Sequence, residues 1–369
     1  MSELIQADQF KSILQLKIPL LDVRAPMEFN KGAFPCASNL PLLNDMQRQA
    51  VGTCYRQRGR QAAIDLGTRL LGIEGKALCV KNWKLAIQQH PDTALYCFRG
   101  GLRSKTAQEW LREEGISVRR VAGGYKALRR FLIQQVELLA SADNLIIIAG
   151  KTGSGKTHLL RTLPNSLDLE GIACHRGSAF GRRVIDQPGQ IDFENRLAIQ
   201  LLDLHWQQQQ RVVVEDESRS IGSLSIPLPL YRRMHESPLA LLDVPLQERV
   251  NTIHHDYIQS NYADFHRLHS NQANQLFADS LLEALGRIRR RLGEERFMHI
   301  KGIMQSALEQ QQRAGDTDAH RYWIEELLTS YYDPMYEYQL ESKLQRVVYK
   351  GTAEELTSWI QPKVLLQHT

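Results

Sequence analysis

Short apolar runs recur along the first two-thirds of the chain, at Pro19–Arg24, Ala94–Cys97, Ile116–Val121, Asn144–Ala149 and Arg211–Val214. Each is strand-sized and ends in charge or glycine, as buried strands do. Between them, apolar spacing of three and four predicts a helix over Lys105–Glu114, stopped by Gly115, and another over Thr157–Thr162. Strands alternating with helices predict parallel α/β sheets. One sheet domain is expected over 1–138 and a second over 139–245. Pro227, Pro229, Pro238 and Pro245 punctuate the end of the second. From about Leu246 glycine is sparse, apolar residues keep helical spacing, and Gln, Arg and Tyr are frequent. A helical C-terminal region is expected over 246–369, packed on the second domain.

Composition narrows the class. At 369 residues with 43% hydrophobic and 24% charged residues, the chain can build several cores and reads as a soluble globular protein. A net charge of +5 permits a nucleic-acid partner without requiring one. The longest apolar stretch, Leu145–Ala149, is far too short for a membrane span, and Met1–Gln6 has neither a basic start nor a secretory core. A cytoplasmic protein without a membrane partner is expected. The five cysteines are widely spaced with no CxxC pair, which argues against a disulfide framework or a zinc knuckle. The adjacent His254 and His255 point in different directions on a helix and make a poor metal pair.

Only Cys97 sits in a chemical context. It ends a strand and opens the loop Cys97-Phe98-Arg99-Gly100-Gly101-Leu102-Arg103-Ser104. Successive backbone N–H groups and a helix start can stabilise a thiolate there. Arg99, Gly100, Gly101, Arg103 and Ser104 are the candidate anion loop, with Arg103 adding a fixed cation and Ser104 capping the helix. The second loop, Gly150-Lys151-Thr152-Gly153-Ser154-Gly155-Lys156-Thr157, fits the Walker A pattern between a strand and a helix. Gly150, Gly153, Ser154, Gly155, Lys156 and Thr157 would hold a diphosphate at a helix N-terminus. Glu215 and Asp216 end an apolar strand as a Walker B acid does, and are the candidate acid or Mg²⁺ ligands. No guanine-recognition run occurs, and nothing names adenine.

The first loop resembles the rhodanese family of sulfurtransferases. Asp22-Val23-Arg24-Ala25-Pro26-Met27-Glu28-Phe29 matches its early segment, Gly32 to Pro41 its next, and Gly123-Gly124 its closing glycine pair. That resemblance implies a rhodanese-like first domain with a persulfide or perselenide on Cys97. Two departures matter: Cys36 stands where rhodaneses usually have glycine, and five residues separate Cys97 from Arg103. The longer spacing is also a phosphatase signature, although Tyr96 replaces the histidine such phosphatases carry. A sulfurtransferase or phosphatase coupled to a P-loop NTPase regulator is therefore the alternative reading.

A rhodanese-like domain followed by a P-loop NTPase-like α/β domain is a rare order. Val51-Gly52-Thr53-Cys54-Tyr55, the C-x-R-G-G-x-R-S loop, His175 to Gly181, Gln187 to Asn195 and Val214 to Ser218 together resemble the tRNA 2-selenouridine synthase family. The resemblance covers most of residues 1 to 235. It implies that 2-thiouridine at the tRNA wobble position is alkylated from geranyl diphosphate and then exchanged to 2-selenouridine with selenophosphate. It implies no tightly bound cofactor. The implied partners are the anticodon region of tRNA and, as a further candidate, the enzyme that makes selenophosphate. Arg287, Arg289, Arg290 and Arg291 are candidate tRNA contacts. The aromatic stretch from Tyr322 to Tyr338 is read chiefly as core.

Overall fold

The computed structural model describes residues 3–204 and 210–361. The chain forms two compact units, Met1–Leu138 with Gly189–Asp203, and Leu139–Pro188 with Leu204–Thr369.

The first unit holds five parallel strands: β1 (Leu4–Ile5), β2 (Leu20–Asp22), β3 (Ala37–Asn39), β4 (Ala94–Tyr96) and β5 (Arg119–Val121). Their order is β1-β5-β4-β2-β3. β2 and β4 are buried along their whole length, so apolar residues follow one another in them without alternation and β2 ends in the buried Asp22. Just beyond β2, the buried Arg24 guanidinium donates to both Asp22 oxygens at 2.8 and 3.1 Å and to the Gly32 carbonyl at 2.9 Å. It also lies 3.9 Å from the Tyr125 ring centroid. A buried ion pair persists only when its remaining donors and acceptors are satisfied. The Asp22-Val23-Arg24 segment thus fixes the turn at Gly32.

The long helix Asp45–Gln89 was not legible in the sequence. Asn44 caps it by accepting from the Gln47 N–H at 2.9 Å. Gly59 and Gly72 interrupt it with φ of 81° and 62° and extended ψ, a backbone region open essentially to glycine.

Helix Gln190–Asp203 belongs to this first unit, not to the second domain in which its position in the chain placed it. Asp192 accepts from the Ala33 N–H at 2.7 Å, and Asn195 donates to the Ala33 carbonyl at 2.7 Å. Arg129 donates to Asn195 at 3.0 Å and pairs with Glu194. A Cβ on Gly32 would overlap Ile191, so the glycine lets this helix close on the turn.

The second unit holds β6 (Leu145–Ala149), β7 (Ser166–Leu167), β8 (Val212–Glu215), a hairpin of β9 (Ser220–Ile221) and β10 (Leu224–Ser225), β11 (Leu239–Leu242) and β12 (Val347–Gly351). The parallel sheet runs β12-β11-β6-β8-β7. β6 pairs directly with β8 and sets Ile148 opposite Glu215, which carries the acidic strand end to the Walker loop.

The C-terminal region is helical over most of its length, including Leu246–Ile253, Ala273–Leu292, Glu294–Ala314 and His320–Leu327. It is not a separate body. β12 adds the sheet's outer strand, and Leu356 and Ile360 of the following helix pack with Ile146 and Ile148. Two π-helical turns, His254–Gln259 and Leu328–Tyr332, interrupt the helices. Among the described residues no helix is long and apolar enough to cross a membrane.

Candidate functional site

β4 delivers Cys97 to the base of its loop, 3% exposed, while Phe98, Arg99, Gly101 and Leu102 are exposed at the rim. The thiol donates to Ser104 Oγ at 3.2 Å, and that hydroxyl donates to the Gly101 carbonyl at 3.0 Å. Gly101, not Ser104, is the helix N-cap, and Ser104 serves the sulfur instead. The loop is closed against Gly123-Gly124. Tyr125 N–H donates to the Cys97 carbonyl at 2.9 Å and Lys126 N–H to the Phe98 carbonyl at 3.0 Å. Gly100 has φ 61°, and a Cβ there would meet the Gly123 and Gly124 nitrogens at 2.7 and 2.8 Å. Arg103 forks onto Glu28, so it is a held cation at the foot of the loop.

In the second unit the Walker loop turns through Gly153 and Gly155, at φ 81° and 77°, into helix Lys156–Thr162. Lys156 Nζ donates to the Gly150 carbonyl at 2.8 Å. Thr157 Oγ1 lies 3.0 Å from Glu170 and 3.2 Å from Glu215. Glu170, Glu215 and Glu217 bring carboxylate oxygens within 4.8 Å of one another. Burial, and then the charges of Glu170 and Asp168, push the Glu215 carboxyl up to about 8. Burial, with Glu170 and Glu215 beside it, also raises Glu217 well above the usual carboxylate range. Such a trio needs protons or a cation. With the Thr157 hydroxyl it is an all-oxygen donor set of the kind Mg²⁺ takes. Asp216 stands apart, paired with Lys343 at 2.6 and 2.9 Å.

The Walker-loop glycines, Lys156, Thr157, Glu170, Asp216 and Glu217 line a cleft of about 1090 Å³ together with Arg176, Arg183 and Arg291, and Glu215 is buried behind this surface. Arg287 braces the Ala179 carbonyl at 2.7 Å, Arg289 pairs with Glu294 at 2.6 Å, and Arg290 is exposed. The four arginines are all exposed, and Arg287 and Arg289 have different partners. Trp323 and Tyr332 are core residues, while Tyr322 and Tyr338 are exposed. His254 is buried with Nε2 2.8 Å from the Thr317 carbonyl.

A family model described as the tRNA 2-selenouridine synthase AAA domain matches residues 143–366. Curated proteins called tRNA 2-selenouridine synthase match nearly the whole chain. The one from Marinobacter nauticus is 46% identical over 96% of this chain and 97% of its own. The one from Pseudomonas fluorescens is 48% identical over 94% and 95%, and that from Bordetella petrii 48% over 96% and 95%. The chain belongs to the tRNA 2-selenouridine synthase family.

In this member of the tRNA 2-selenouridine synthase family, sequence reasoning missed Glu170, Glu217, Arg176 and Arg183. Arg176 lies in the His175–Gly181 segment that carried the resemblance, with its guanidinium 5.0 Å from the Tyr257 ring centroid and 2.9 Å from Asn261. Glu217 follows the acidic strand end by two residues. Glu170 had no signal, because it lies in a short helix that only the fold brings to Thr157.

Proposed function

We propose that this chain converts wobble 2-thiouridine in tRNA to 2-selenouridine through an S-geranyl intermediate. The observation that carries the reading is the pairing, in one chain of this family, of a glycine loop around Cys97 with a Walker loop facing a carboxylate trio.

In the first step the thiocarbonyl sulfur attacks C1 of geranyl diphosphate. The C–O bond breaks, diphosphate leaves, and the base gives up its N3 proton. Backbone N–H groups of Gly153–Thr157 and the Lys156 ammonium would stabilise charge growing on the leaving diphosphate. Thr157, Glu170 and Glu215 would hold a Mg²⁺ ion, which screens that charge when bound. Alkylation turns a poor leaving group into a neutral thiol.

In the second step the selenium of selenophosphate attacks C2 and geranylthiol departs. Hydrolysis of the P–Se bond leaves 2-selenouridine and phosphate. The loop from Cys97 to Ser104 would cradle the selenophosphate, with the Cys97 thiol at its base guiding the selenium toward C2 and the loop amides and the held Arg103 taking the phosphate oxygens.

The test supplies purified protein with 2-thiouridine tRNA, geranyl diphosphate and selenophosphate, and reads the nucleosides by mass spectrometry. The geranylated nucleoside should form without selenophosphate, and 2-selenouridine only with both. Phosphate release from ATP with no change in the nucleosides would overturn the reading in favour of a P-loop regulator.

A further inference from the structure

The polar cleft at the Walker loop runs into a small apolar slot. Thr152 of the loop, Ser178, Ile253, Tyr257 and Tyr332 line both. Beyond them the slot is walled by Phe180, Trp323, Ile324, Leu327 and Leu328, all buried core residues. Phe180 and Trp323, which line the slot but not the cleft, stack with centroids 5.5 Å apart.

Both π-helical turns among the described residues of the unit frame this place. His254–Gln259 contributes Tyr257, and Leu328–Tyr332 contributes Leu328 and Tyr332. π-turns inside helices are rare and are frequently found at functional sites. The loop itself is fitted to this wall: a Cβ on Gly153 would meet Ile253 Cδ1 at 2.7 Å. A ligand whose charged head sits on the Walker loop therefore finds apolar surface directly beside it.

Resting on the function proposed above, we infer that this slot seats the far end of the isoprenoid chain and limits its length. The diphosphate lies on the Walker loop. The chain runs along Ile253, Tyr257 and Tyr332 and stops at Phe180 and Trp323. The slot measures about 20 Å³. That is room for little more than one water-sized group, so it accepts one terminal methyl of the chain and no further isoprene unit.

Two variants test this in the full chain, with thermal melting as the check on folding. Leu328→Trp fills the slot and Phe180→Ala deepens it. Calorimetric titration with geranyl diphosphate and with inorganic diphosphate measures what the tail adds to binding. Wild-type protein should bind geranyl diphosphate at least tenfold more tightly than diphosphate. Leu328→Trp should lose that advantage while keeping diphosphate affinity. Phe180→Ala should raise transfer from farnesyl diphosphate relative to geranyl diphosphate by about tenfold. If Leu328→Trp does not fold, the farnesyl-to-geranyl ratio of Phe180→Ala decides alone. Geranyl transfer with neither the tail's binding advantage nor the chain-length ratio altered would overturn the slot and leave the function standing. Tail-dependent binding that the filled slot removes, with no transfer to tRNA, would sink the function and keep the slot.

Discussion

Glu28 and Arg103 are joined by two hydrogen bonds, Oε2 to Nη1 at 2.5 Å and Oε1 to Nη2 at 3.1 Å. The pair ties helix Pro26–Asn30 to the first turn after the cysteine loop. Burial alone would raise the Glu28 carboxyl, but Arg103, the Ala25 N–H and Arg48 outweigh it and hold it below the usual range. Glu28 therefore stays ionised at neutral pH and keeps Arg103 oriented. Glu28→Gln loses the charge and half the fork, while Arg103→Lys cannot form it. Each variant is expected to slow selenation by about tenfold or more, the scale of one charge-assisted bond. Geranylation should not change. Single-turnover assays on thiolated and on pre-geranylated tRNA separate the two.

The two loops lie in different compact units, so their loss should separate by step. Cys97→Ala is expected to abolish 2-selenouridine while the geranylated nucleoside accumulates. Lys156→Ala removes a cation from the leaving diphosphate and should slow geranylation by about 10²-fold. Selenation of pre-geranylated tRNA should survive it. Nucleoside mass spectrometry of the two variants reads both outcomes. Normal 2-selenouridine from Cys97→Ala would remove that sulfur from the mechanism.

Much of this was legible because both loops are contiguous. Glycines, cations and the reactive group of each lie within eight successive residues, between a strand and a helix. Of the carboxylate trio only Glu215 was legible, since Glu170 reaches Thr157 through the fold and Glu217 lies beyond the strand end. Helix Gln190–Asp203 shows Phe193, Leu197 and Leu201 at helical spacing, a pattern that says a face is buried but not in which core. β12 alternates half-buried and exposed residues at the edge of its sheet, and its short period was hidden among the helices around it.

His320 offers a pH test of the helical core. Its Nε2 lies 2.8 Å from Gln311 Oε1, and its Nδ1 accepts from the Trp323 indole at 2.9 Å. Burial, and then the nearby His254, lower its pKa to about 4, with Asp316 opposing. A histidine lowered from 6.5 to about 4 is neutral in the fold and charged in the unfolded chain across that window. Its contribution is complete above about 6.5 and is lost as pH falls toward 4. The melting temperature of wild type minus that of His320→Gln should therefore shrink from pH 7.5 to pH 5. A difference constant with pH would contradict the neutral buried state.

The Walker loop's glycines separate backbone strain from steric contact. Gly153 and Gly155 both have positive φ, at 81° and 77°. A Cβ on Gly155 would meet nothing within 4 Å, whereas one on Gly153 would lie 2.7 Å from Ile253 and 2.8 Å from the Arg249 carbonyl. Gly155→Ala should cost only the left-handed conformation, roughly 1–2 kcal/mol. Gly153→Ala must in addition push helix Leu246–Ile253 away from the loop. That helix is anchored there by Arg249, which donates to the Thr152 carbonyl at 3.1 Å and pairs with Asp333 at 2.6 Å. Gly153→Ala should therefore lower the melting temperature more than Gly155→Ala and weaken diphosphate binding by more than about tenfold, the scale of a misplaced loop. Equal losses in the two variants would show that strain alone, and not the crossing helix, sets the shape of the loop.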